Sequence, residues 1–165
     1  MEGVTIRRDA PISLHPFRDF FRGFDKVEAV VGIFGSETKE TLEGLRVEFF
    51  SSRWGYMAVN DQDGHILVSA HYLKEGDERD IYLDVVHELV HVRQWQEGKE
   101  LFPEGVGYHD RPTEIEAYQV AVDEARRIGL TEAEIREYLR VPWMDDEGHA
   151  KLLAHLGVEV SAETP

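Results

Sequence analysis

In 165 residues, 18 Lys and Arg stand against 33 Asp and Glu, a net charge of −15. A surface this acidic repels phosphate backbones and anionic lipid, which argues against nucleic acid or membrane partners. Cysteine is absent, so disulfides and thiolate metal sites are excluded.

Apolar residues make up 42% and charged residues 31%, enough to bury a core in a single domain over 1–165. No apolar run approaches 18 residues and the start carries no signal-peptide pattern, so cytoplasmic residence is expected. Residues 1–13 read as polar and irregular. Phe17, Phe20, Phe21 and Phe24 then recur at helical spacing, continued by Val27, Val30, Val31 and Phe34. This predicts a helix, or a broken pair, over 16–34. A strand over 27–34 is the rival, because Val30-Val31-Gly32-Ile33-Phe34 is β-rich. Gly35-Ser36 reads as a stop and an N-cap ahead of a short polar helix to Gly44.

From Leu45 the apolar period changes toward alternation, predicting strands over 45–50, 54–60 and 65–70. Asp61-Gln62-Asp63-Gly64 is a turn that makes the last two an antiparallel hairpin. Lys74 to Asp77 reads as a polar connection. The next helix is expected over 78–97, ended by Gly98, and a loop follows over 99–111. Pro112 suits the first turn of a helix reaching Ile128. Thr131 with Glu134 fits a capping box for another helix before Pro142. Asp145 or Asp146 can cap a last helix over 147–156, closed by Gly157, and 161–165 is expected to fray. Trp54, Trp95 and Trp143 are expected in the core.

The chemistry concentrates in His87-Glu88-Leu89-Val90-His91. On a helix the two imidazoles lie one turn apart on one face and can reach one metal ion, with the Glu between them close enough to handle a water proton. Five-residue matches of this kind arise by chance, so context decides. At about 100° per residue, Ile81, Tyr82, Val85, Val86, Leu89, Val90 and Val92 fall on one half of the helix. Asp84, His87, Glu88, His91 and Trp95 fall on the other. The helix therefore has a core face and a chemical face. Asp84, three residues before His87, is a candidate to accept an N–H from a ligand imidazole.

Catalytic zinc commonly has three protein ligands. The metzincin arrangement would need a His six residues after His91, and position 97 is Glu, so a sequence of this kind takes its third ligand from elsewhere. Downstream lies Arg111-Pro112-Thr113-Glu114-Ile115-Glu116-Ala117-Tyr118. H-E-L-V-H-V-x-Q followed by R-P-x-E-I-E-A resembles the gluzincin group of zinc metallopeptidases, in its compact bacterial zincin-like form. The ImmA/IrrE peptidases are a looser relative. The resemblance covers about 65–128, the expected metal-site core. Two positions depart from the wider pattern: Val120, where thermolysin-like members carry Asp, and Tyr118, where ImmA-like members carry Asn.

The resemblance implies a compact α+β zincin fold, with a small three-stranded sheet packed on the motif helix and a second helix bearing the third ligand. It implies Zn²⁺ held by His87, His91 and Glu116, the last because Ala117 follows it. Glu114 and then His109 are the alternatives. Periodicity leaves both open: Glu114 shares a helix face with Ala117, Tyr118, Ala121 and Ala125, which can be the face packed toward the motif helix, and Glu116 shares its face with Val120 and Asp123, which suits a half-buried polar site. The implied activity is peptide-bond hydrolysis with Glu88 as the proton acceptor, acting on a peptide or protein substrate. Tyr108, His109 and His71 are candidates to stabilise an oxyanion. The strand over 65–70, if at a sheet edge, could take an extended peptide by strand addition. Two other readings stay open: a zinc-binding regulatory protein with narrow or lost peptidase activity, and an interaction domain without metal.

Overall fold

A computed structural model describes residues 1–160. The expected fraying of 161–165 lies outside the described residues. The chain is α+β, and its contacts divide it into two compact units, Met1–Leu101 and Phe102–Pro165. The polar, proline- and glycine-bearing loop at 99–111 carries that division.

The first unit opens with β1 (Thr5–Ile6), β2 (Leu14–Pro16) and β3 (Phe21–Arg22), interleaved with two 3-10 turns, Phe17–Asp19 and Phe24–Lys26. The helical spacing of the Phe residues is therefore misleading. Phe17, Phe20, Phe21 and Phe24 are all buried, but on turns and a strand rather than on one helix. The reason is Gly23, at φ 85°, where a Cβ would meet the Gly3 carbonyl oxygen at 2.1 Å. That left-handed residue breaks any helix and brings the amino-terminal segment back to pair β1 with β3. The rings pack on one another and beyond: Phe20 against Phe49 at 4.7 Å between centroids, Phe24 stacked on Tyr82 at 5.5 Å.

The helix expected over 16–34 survives only as α1 (Glu28–Phe34), which also replaces the rival strand. A 3-10 turn over Gly35–Glu37 leads to α2 (Thr38–Gly44). Then come β4 (Arg46–Phe50), β5 (Met57–Val59) and β6 (Ile66–Ser69). The sheet has four strands rather than three, in the order β2-β4-β6-β5. β5 and β6 form the expected antiparallel pair, and β4 runs parallel to β6. Because β6 is paired on both sides, 65–70 is not a sheet edge and cannot accept an added strand. The edges are β2 and β5.

Before the expected polar connection ends, residues 70–75 form α3 (Ala70–Glu75), begun by Ser69, whose hydroxyl accepts from the Tyr72 N–H; only Gly76 and Asp77 remain as a connection. Next is α4 (Glu78–Gln96). Asp77 caps it, accepting from the backbone N–H groups of Arg79 and Asp80 at 2.9 and 3.1 Å. Gly98, at φ 78°, ends it, and the Lys99 N–H donates to the Gln94 carbonyl. Within this unit α4 packs on α1 and β5. Ile81, Tyr82, Val86, Leu89 and Val90 are fully buried. Each such side chain stabilises the fold by about 1.5–3 kcal/mol.

The second unit is helical among the described residues. It comprises a 3-10 turn at Tyr108–Asp110, then α5 (Pro112–Arg127), α6 (Glu132–Tyr138) and α7 (Asp146–Leu156). Pro112 opens α5 as expected. Both bonds of the Thr131–Glu134 capping box are formed. Asp145 caps α7, and Gly157, at φ 64°, closes it. No described helix is long and apolar enough to cross a membrane. Two tryptophans depart from expectation: Trp54 is 86% exposed and Trp143 50%.

Candidate metal centre

The cap at Asp77 and the apolar face of α4 fix where its other residues point. His87, Glu88 and His91 are nonetheless buried too, at 5, 6 and 5% exposure. Burying three such groups is costly unless something compensates for the water they lose. The two imidazoles meet edge to face, with centroids 4.8 Å apart, and their Nε2 atoms approach to 3.1 Å. Two nitrogens bound tetrahedrally to one zinc at its usual bond length would sit about 3.3 Å apart. The observed separation fits a shared metal.

Among the described residues, one group of metal-ligating side chains converges: His87, His91 and Glu114. Each offers one ligand atom, and these atoms all lie within 4.8 Å of one another. Two imidazoles and a carboxylate are a known donor set for catalytic zinc. Glu114 is 4% exposed and sits in the first turn of α5, where the helix dipole favours a carboxylate.

Glu116, the residue that the sequence resemblance put in third place, does not join this group. Two residues further along a helix is about 200° further round. The buried face of α5 carries Glu114, Ala117, Tyr118, Ala121 and Ala125. Glu116 is only half-buried, and Asp123, on its side of the helix, is exposed. The helical period, not the Glu-Ala pair, identifies the carboxylate that converges.

Gln94 was not singled out from the sequence as a partner of the histidines. It is fully buried, and its Oε1 lies 2.7 Å from His91 Nδ1. Its position three residues after His91 was the available signal. Asp84, the candidate imidazole partner, accepts a hydrogen bond from the Tyr72 hydroxyl. Burial, and then the adjacent Asp84 charge, push the Tyr72 phenol far above its ordinary range, so it stays a donor.

The other candidates make contacts of their own. Tyr108 is half-buried, and its hydroxyl lies 2.6 Å from that of Tyr118, one turn after Glu114 on the same face of α5. His109 Nε2 is 3.2 Å from Asp110 Oδ2, and His155 Nε2 is 3.2 Å from the other oxygen of that carboxylate. The His155 bond holds the Asp110 carboxyl below its ordinary value. His71 is an exposed residue of α3.

No family model, curated protein or solved structure matches this chain.

Proposed function

We propose that this protein is a zinc-dependent peptidase of zincin type. The convergence of His87, His91 and Glu114 within 4.8 Å supports this reading most. The donor set fits Zn²⁺, and all three residues are buried. When bound, zinc would polarise a scissile carbonyl and lower the pKa of an attacking water.

Glu88 lies between the two histidines on α4 and has no place in the ligand group. It takes a proton from the attacking water and hands it to the leaving amine. The substrate is a peptide or protein. With β6 closed on both sides, its docking strand is the β5 edge, which packs on the same helix as the histidines. A cysteine-free chain suits the cytoplasm.

The test pairs metal analysis of purified protein with a peptide-hydrolysis screen of wild type and Glu88→Gln. One zinc per chain is expected in both. Hydrolysis should fall about 10²–10⁴-fold in the variant, the size of a lost general base. A variant that loses its zinc would make Glu88 a ligand. Zinc-loaded wild type that cleaves no peptide would favour a regulatory zinc protein instead.

A further inference from the structure

We infer that Gln94 is the positioning residue of this centre, holding His91 in the single tautomer able to bind a metal at Nε2. The inference rests on the zinc reading above.

Neutral imidazole carries one N–H and one lone pair, and the partner of one nitrogen decides the role of the other. His91 Nδ1 faces Gln94 Oε1 at 2.7 Å. An amide oxygen only accepts, so Nδ1 carries the proton and donates it. Nε2 is then a lone pair, and it is the atom that approaches His87 Nε2 at 3.1 Å. With the amide turned over, its NH₂ would donate to Nδ1, the proton would move to Nε2, and His91 could not ligate there.

Both side chains are buried, Gln94 completely, so water does not compete for this bond. The two residues share a helix, three positions apart, and the backbone fixes their distance before any metal arrives. A ring locked in this way loses little freedom when it binds.

The amide also differs from the carboxylate that often orients metal-bound histidines. It holds the ring without adding charge. With Glu114 as the one anionic member of the group, a bound Zn²⁺ keeps net positive charge for polarising a carbonyl. A Glu at 94 would hold the ring equally well but spend part of that charge.

Two measurements test this. The first is a long-range ¹H–¹⁵N spectrum of metal-free wild type above pH 8, with His91 signals assigned by their loss in His91→Gln. The Nδ1–H tautomer is expected, and an Nε2–H tautomer would overturn the inference without need of any variant. The second is Zn²⁺ affinity by competition with a chromogenic chelator. Gln94→Leu should weaken binding 10–100-fold, the usual cost of losing an outer partner. Gln94→Glu should rescue affinity to within a few-fold of wild type while lowering kcat with little change in KM. Equal affinity in wild type and Gln94→Leu would refute the positioning role. Wild type that takes up no zinc would instead sink the metal reading, and this inference with it.

Discussion

At the scale of single residues, the centre depends on which carboxylate converges with the histidines. Glu114 and Glu116 are chemically identical and two positions apart, so the helix alone distinguishes them. In the proposed centre, Glu114→Gln removes the anionic ligand while keeping its shape. Zinc affinity should fall by more than the roughly 10–100-fold typical of an outer-shell loss. Glu116→Gln changes a half-buried residue outside the group and should leave affinity within a few-fold of wild type. Equilibrium dialysis of both variants decides the matter, and the opposite ranking would restore Glu116. The information was present in the sequence: Ala117, Tyr118, Ala121 and Ala125 mark the buried face, and Glu114 belongs to it. The Glu-Ala match to a family pattern points to Glu116 instead, on the other side of the helix, and the dialysis chooses between the two.

Among the elements, α4 was the most legible, because everything that makes it is local: the Asp77 cap, the apolar period and Gly98. The Phe17–Phe24 stretch was not, because the Gly3–Gly23 approach that breaks it joins residues far apart in sequence. The parallel β4–β6 pairing and the four-stranded order are likewise non-local. Gly64 offers a test of such a contact. It has φ 79°, and an added Cβ would lie 2.4 Å from the Trp95 ring. The Trp95 N–H also donates to the Asp61 carbonyl at 2.9 Å, tying the β5–β6 turn to the end of α4. Gly64→Ala combines backbone strain with overpacking and should cost about 1–3 kcal/mol in urea unfolding. Adding Trp95→Leu should recover part of that loss, and strict additivity would mean that ring and turn do not touch.

The same scale carries a pH dependence. Glu132, in the first turn of α6, accepts from Arg126 Nε at 2.9 Å, and this bond holds its carboxyl below its ordinary 4.5. A depressed folded value means that the contribution is present above pH 4.5 and disappears as pH falls through the lower, folded value. Both side chains are about one-third exposed, so it is small. Glu132→Gln should cost about 0.5–1 kcal/mol at pH 7 and nothing measurable near pH 2. An equal cost at both pH values would show that charge is not what this pair contributes.

For the molecule as a whole, a metal that binds only the native state must raise its stability. The gain is about 2.7 kcal/mol when free zinc is 100 times the dissociation constant. For a chain of this length that corresponds to roughly 5–10 °C in Tm. Excess charge complicates the measurement. A net charge of −15 attracts any divalent cation, and relief of self-repulsion alone stabilises an acidic protein. That diffuse effect does not distinguish Mg²⁺ from Zn²⁺, and it fades in physiological salt, where exposed charges are screened beyond about 8 Å. A buried imidazole site behaves in the opposite way. It is little screened, and its nitrogen ligands suit zinc rather than magnesium, which prefers oxygen. Thermal unfolding in 150 mM salt, with EDTA, Mg²⁺ or Zn²⁺, should therefore show the full shift for Zn²⁺ alone. His87→Ala and Glu114→Gln should lose that shift while keeping any small response to Mg²⁺ at low salt. Equal shifts from the two metals, or a zinc shift that survives His87→Ala, would assign the stabilisation to the acidic surface and remove the centre from the account.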